Sequence, residues 1–190
     1  MDDVGVLPAR HRLTVDDYHR MGEAGIFAEG ERVELIDGDI IDMAPIGQGH
    51  AAMVGGLAEA LFVACAGRAT VWPQNPVRLD RSSEPQPDLA VLRRRADFYA
   101  TGERPGPSDV LLLVEVADSS LRFDRTVKLP LYARAGIAEV WIVDLKRRAL
   151  DCHREPEAGG YGVMTTHQAG ESLALAAAPE IVVRLALMFG

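Results

Sequence analysis

The chain has 190 residues, 48% of them hydrophobic and 25% charged, which is ordinary for a globular protein and long enough for one well-cored domain with or without a short extension. Its formal charge of −8 excludes a protein held on nucleic acid mainly by bulk charge, while leaving room for an acidic enzyme with a local basic strip. There is no apolar run of about eighteen residues, no charged-then-apolar opening and no CxxC, so the expectation is a cytoplasmic protein without membrane span, zinc site or disulfide framework.

Residues 1–12 read as a loose arm on a single domain covering 1–190. Thr14-Val15-Asp16-Asp17 fits a capping box with Asp in place of Glu and opens a short helix to about Gly22. Arg32-Val33-Glu34-Leu35-Ile36, Asp37-Gly38 and Asp39-Ile40-Ile41-Asp42-Met43 form a hairpin pattern, and Asp-Gly between alternating runs favours a type I′ turn. Glu34 shares a strand face with Arg32 and Ile36, which by itself suggests a solvated carboxylate. In residues 48–66, Met53, Leu57, Ala60, Leu61 and Ala64 recur at helical spacing, with Gly67 as the C-cap. His50 falls in the first turn of that helix, where a histidine is ordinarily a capping or surface residue.

Thr70-Val71-Trp72 and Pro76-Val77-Arg78-Leu79 read as strand pieces broken by prolines. Glu84-Pro85-Gln86-Pro87-Asp88 leads into the apolar Leu89-Ala90-Val91-Leu92, so Asp88 enters a buried strand and needs a partner. Arg93-Arg94-Arg95 reads first as a solvated loop and second as a phosphate track, and 100–109 is a Gly/Pro-rich loop. The apolar run Val110-Leu111-Leu112-Leu113-Val114 suits a strand buried on both faces, and it ends in Glu115. Asp124 is expected to cap a helix holding Lys128 in its first turns and closed by Gly136. Glu139-Val140-Trp141-Ile142-Val143-Asp144 follows as a strand parallel to the first, which places Glu115 at the carboxyl end of a central strand. Residues 149–153 and 160–164 read as an antiparallel pair, and Ile181-Val182-Val183 with Leu185-Ala186-Leu187 ends the chain.

If the strands entered by Asp88 and closed by Glu115 are antiparallel neighbours, both carboxylates lie at one end of the sheet. With a backbone carbonyl such as that of Val116 they make a hard oxygen site suited to Mg2+ or Mn2+. Helical side chains lean toward the helix N-terminus, so Lys128 points back toward Glu115. A divalent ion beside an ammonium is equipment for phosphodiester hydrolysis. A lysine on a helix is ordinarily solvated, and on that reading removal of its charge disturbs stability no more than a surface change. The only other lysine is Lys146; the remaining basic residues are arginines.

Pro87-Asp88, then Glu115-Val116-Ala117, then Lys128 resembles the PD-(D/E)XK nuclease motif with its lysine moved onto the following helix. The chain is similar to the restriction-endonuclease-like family called Uma, the second of that name. The similarity runs in order through Val33–Gly38, Gly49-His50, Gln86–Leu89, Val114–Val116, Lys128–Ala133 with Ala135-Gly136, and Val140–Asp144. It departs from the wider superfamily at Ala117, where the motif lysine usually stands. The resemblance implies an α/β mixed sheet in a restriction-endonuclease-like core with flanking helices and an added hairpin region. It also implies nuclease chemistry on DNA, dependence on a divalent metal, and Glu34 as a further carboxylate. Tyr132, one turn after Lys128, and His50 are accessory candidates, while Trp141 and Asp144 read as structural.

The expected function is a metal-dependent endonuclease. It should be dimeric, because cutting a duplex commonly pairs two sites, and should bind DNA weakly and salt-sensitively through Arg93, Arg94, Arg95, Arg122 and Arg125. The alternatives are a non-catalytic nuclease-fold binding or assembly module of a defence or mobile-element system, and a metal hydrolase acting on a small phosphoester.

Overall fold

A computed structural model describes residues 10–185. Most of the arm read at residues 1–12 lies outside this range, as do Ala186 and Leu187.

The long apolar run forms β5 (Val110–Ala117), buried along its whole length. It sits inside a six-stranded sheet with β3 (Ala69–Pro73), β4 (Leu89–Arg93), β6 (Glu139–Asp144), β7 (Ala149–Glu157) and β8 (Gly160–His167), in the order β3-β4-β5-β6-β7-β8. β5 and β6 are parallel, as the strand-helix-strand pattern requires, and every other pairing in this sheet is antiparallel. Leu89 pairs with Val114, so Asp88, just before β4, lies alongside Glu115 near the end of β5. This register brings the two carboxylates together.

Alternation along β5 divides the core. Leu112, Val114 and Val116 face a cluster with Val54, Leu57 and Leu61 of α2 (Gln48–Cys65), joined by Leu173, Ile181 and Val183 of the hairpin β9 (Ser172–Leu175) and β10 (Ala178–Arg184). Leu113 and Ala117 face the opposite cluster with Leu131, Tyr132 and Ile36. Ala117 is 1% exposed, so the position that usually carries the motif lysine is a packed core position here.

The connection from β5 to β6 is helical from Leu121 to Arg134: α3 (Leu121–Phe123), a π turn (Asp124–Lys128) and α4 (Leu129–Arg134). Pro130 accounts for the wide turn. It has no N–H, and its ring would crowd the carbonyl four residues back in a regular helix. The chain widens ahead of it instead, and the Leu129 N–H reaches the Asp124 carbonyl. Asp124 therefore does not cap the helix as expected. Ser120 occupies the N-cap position, and Asp124 lies within the helix with its carboxyl buried.

α1 (Val15–Glu23) opens on the expected capping box between Thr14 and Asp17. β1 (Val33–Ile36) and β2 (Asp39–Asp42) form the expected hairpin, and Asp37 and Gly38 both take positive φ, as a type I′ turn demands. Gly38 is needed for a second reason: a Cβ there would stand 2.7 Å from the Cβ of Arg12. Two boundary expectations are corrected. Residues 76–79 form no strand, because prolines at 73 and 76 interrupt the ladder. α2 ends on Ala66 in the left-handed region, one residue before Gly67. Ile181–Val183 belong to β10, whose partner is β9.

Candidate functional site

The end of β5, the hairpin β1–β2, the start of α2 and the α3–α4 helical segment enclose a cavity of about 310 Å3. Glu34, Asp88, Glu115, Val116, His50 and Lys128 all line it, and Tyr132 reaches Glu115 from behind. The structure thus gathers every residue proposed from the sequence as catalytic, metal-binding or accessory.

Lys128 is 5% exposed, and its ammonium is shared between Glu34 Oε2 at 3.0 Å and Glu115 Oε1 at 3.2 Å. The expectation of a solvated side chain, and with it the comparison to a surface substitution, does not hold. The Tyr132 hydroxyl donates to the same Glu115 oxygen, so this tyrosine both packs in the core and contacts the site. Glu34 is not solvated either. It is 3% exposed, and the Gln86 N–H donates to its Oε2 at 3.0 Å. Asp88 accepts the Val116 N–H at 2.8 Å and lies 3.1 Å from His50 Nε2. Its carboxylate thereby ties β4 to β5 and to the first turn of α2, and gives the entering aspartate the partner it needed.

One member of the site was missed in the sequence. Asp124 is 3% exposed, lines the cavity and accepts the Ser120 hydroxyl at 2.6 Å. Its signal was present in the spacing. Asp124, Lys128 and Tyr132 recur every four residues, which puts them along one helix face.

The cavity holds six carboxylates, those of Glu34, Asp42, Asp88, Glu115, Asp118 and Asp124, against two fixed cations, Arg32 and Lys128. That imbalance shows in the proton affinities. Burial, with Asp124, Asp88 and Glu34 nearby, pushes Glu115 up to about 8 despite the opposing Lys128 ammonium. Burial also raises Asp124. Burial works against the Lys128 charge, but Glu115, Glu34 and Asp124 outweigh it, and the lysine stays protonated. The hydrogen bond to Asp88 raises His50. Burial and the neighbouring Glu115 hold the Tyr132 hydroxyl well above its ordinary value.

Among the described residues no three His, Cys, Asp or Glu side chains converge tightly enough to form an ion cage. A small hard cation does not need one. Mg2+ keeps several waters and is commonly held by one or two carboxylates. Asp88 and Glu115 on adjacent strand ends, with the Val116 carbonyl, fit that chemistry, and the surplus of negative charge in the cavity favours a cation there.

The arginines expected to meet phosphate divide. Arg95 is paired with Asp97 at 2.7 Å and lies over the Tyr99 ring, Arg94 lies over Phe98, and Arg93 donates to the Ser108 carbonyl. Arg125 pairs with the buried Asp151. Arg95 and Arg125 are thus committed to acidic partners, whereas Arg93, Arg94 and Arg122 are exposed. Trp141 and Asp144 are structural as expected: the indole donates to Glu139, and Asp144 accepts two N–H groups of the turn after β6.

The fold has a solved counterpart. A protein from Anabaena variabilis ATCC 29413, described as a "putative nuclease belonging to DUF820", superposes with a TM-score of 0.68 over 93% of this chain and 97% of that one, at 13% identity. No curated protein matches the sequence. The sequence pattern of the Uma2 family, described as "Putative restriction endonuclease", matches residues 15–187, nearly the whole length. The chain belongs to the Uma2 family.

Proposed function

We propose that the protein is a divalent-metal-dependent endonuclease that hydrolyses phosphodiester bonds in DNA, using Mg2+ or Mn2+. The observation that carries this reading is the buried Lys128 between Glu34 and Glu115, beside Asp88, in a cavity with surplus negative charge. Such a cavity repels a phosphodiester by itself. A cation held by Asp88, Glu115 and the Val116 carbonyl would neutralise it and would supply Lewis-acid activation of water and stabilisation of charge on phosphate.

The protein's own groups take the remaining roles. The Lys128 ammonium is fixed by two carboxylates, so it is preorganised to meet charge developing on a phosphate oxygen or to orient the attacking water. Tyr132 holds Glu115 Oε1 and so fixes the carboxyl that lines the cavity. Glu34 positions Lys128 and is itself fixed by the Gln86 N–H. His50 orients Asp88, and the Val116 N–H fixes the same carboxylate. Cutting both strands of a duplex calls for two such sites, so we take the working form to be a homodimer.

The test is cleavage of supercoiled plasmid and of labelled single strands with Mg2+, Mn2+ or chelator, comparing the natural chain with Asp88→Asn and Glu115→Gln. Metal-dependent cleavage lost in both folded variants supports the proposal. No cleavage by the natural chain under any metal overturns it and favours the non-catalytic nuclease-fold module.

A further inference from the structure

Of the two fixed cations in the cavity, Lys128 has a role above and Arg32 has none. Arg32 stands just before β1. Its carbonyl accepts the Met43 N–H at 2.9 Å, which carries the β1–β2 ladder one pair beyond Val33 and Asp42. Its cross-strand neighbour is therefore Met43 rather than an acid. Alternate residues of a strand share a face and lie about 6.8 Å apart along it. Arg32 thus repeats the position of Glu34 one step along the hairpin, and both line the cavity. Glu34 is buried against Lys128, whereas Arg32 is half-buried, so the step runs outward from the lysine.

What sets Arg32 apart is the lack of a partner. Other arginines of the chain find carboxylates: Arg12 with Asp39, Arg134 with Asp37, Arg147 with Asp151. Among the described residues Arg32 makes no ion pair and its side chain no hydrogen bond, although Glu34, Asp42 and Asp118 line the same cavity. Its charge is felt inside the cavity all the same, where it opposes protonation of His50. A guanidinium left unpaired there keeps its whole fork of donors for an incoming anion, and that planar fork matches the oxygens of a phosphate. The lining next to it, Met43 to Ile46, is apolar, and Ile46 is 44% exposed. Charge beside apolar surface suits a nucleotide, whose phosphate meets the one and whose sugar or base meets the other.

We propose that Arg32 holds the phosphate next to the one that is cut, so that the site takes a polynucleotide strand in preference to a small phosphodiester; this inference rests on the nuclease reading above. Lys128 marks the place of the scissile phosphate, and Arg32 marks the next, one strand repeat away. A strand anchored at both is fixed in register and direction, which is what orienting the reacting bond requires. A ligand with a single phosphate engages the inner group alone and gains nothing from Arg32. Contacts to phosphate position a strand without reading its bases, so Arg32 contributes no sequence preference.

The test reads binding and does not depend on turnover. A labelled thymine-tract single strand is bound by the whole chain at low salt with Ca2+, and fluorescence anisotropy follows its displacement by thymidine trinucleotides. One competitor carries both phosphates; in the others one linkage or the other is a neutral methylphosphonate, so the bases stay the same and one charge is lost. The doubly charged trinucleotide should compete about tenfold better than either neutralised form, the scale of one charge-assisted hydrogen bond. Arg32→Gln should erase that advantage, and Arg32→Lys, which keeps the charge without the fork, should retain part of it. For the labelled strand, Arg32→Gln should also reduce the slope of log affinity against log salt by about 0.7, the share of one phosphate contact on a single strand. Equal competition by the trinucleotides in the natural chain, or an advantage that survives Arg32→Gln, overturns the proposal. So does a loss of affinity in Arg32→Gln with an unchanged salt slope, which would mark a structural effect. Metal-dependent cleavage of plasmid would stand after any of these results, and absence of cleavage leaves this readout intact, so the two ideas fail separately.

Discussion

Replacing Lys128 by Met keeps the stem and removes a charge that is shared between two buried carboxylates. Removing one partner of a buried ion pair costs about 3–5 kcal/mol, because the other charge is left uncompensated. Glu115 makes that cost depend on pH. Its folded pKa is raised from 4.5 to about 8, so the folded protein holds a proton that the unfolded chain has lost across that window. Stability therefore falls as pH rises from about 4.5 to about 8, and levels off above it. In the variant the opposing ammonium is gone, the Glu115 pKa moves higher still, and the decline continues past pH 8. The gap between the two proteins should be about 3 kcal/mol at pH 7 and should approach about 5 kcal/mol near pH 9.5. For a chain of this size each kcal/mol lowers Tm by about 2–4 °C. Urea denaturation at both pH values measures the gap, and cleavage with Mn2+ at a temperature where both proteins are folded measures the chemistry. Cleavage should fall by roughly a hundredfold or more, the scale of losing one preorganised electrostatic group, and Lys128→Arg should rescue it only partly. A gap that stays constant with pH would refute the coupling to Glu115, and undiminished cleavage by the folded variant would refute the role of the ammonium.

Three further outcomes follow from the same geometry. Mg2+ or Mn2+ should raise Tm, and more strongly at pH 8.5 than at pH 6, where a cation must displace the Glu115 proton; thermal melts check this, and an equal shift in the Asp88→Asn, Glu115→Gln double variant would place the ion elsewhere. DNA binding should be weak and should fade between low and physiological salt, with Arg122→Gln lowering affinity and Arg95→Gln acting through stability alone, because among the described residues Arg95 is paired with Asp97 and Arg122 has no acidic partner; anisotropy titrations across salt separate the two, and tight salt-insensitive binding contradicts the account. Pro130→Ala should restore an N–H to the helix, relax the π turn and shift Lys128 relative to Glu115, so that cleavage drops about tenfold while stability holds or rises; single-turnover rates beside melting curves test it, and unchanged rates would mean that the wide turn does not set the lysine position.

Local patterns in the chain were sufficient for several elements. The Thr14–Asp17 capping box, the Asp37-Gly38 turn, the doubly buried β5 and its parallel partner β6 each depend on a few neighbouring residues whose backbone preferences agree, so the sequence determines them by itself. Asp88, Glu115 and Lys128 were legible as a set because a carboxylate at each of two strand ends and a lysine on the crossover helix have an order that chemistry requires. The tertiary structure decided the rest. Glu34 is ambiguous on its own strand, where it alternates with apolar residues. Only the docking of the β1–β2 hairpin over the end of β5 buries it against Lys128. Asp124 looks like a helix cap until the π turn forced by Pro130 places it inside the helix and in the cavity. Lys128 reads as a surface group because burial is a property of what packs against a side chain, and its covering carboxylates come from residues 13 and 94 positions earlier in the chain. Charge pairing over such separations leaves no local pattern, so the sequence carries the groups and the fold alone determines which of them share a charge.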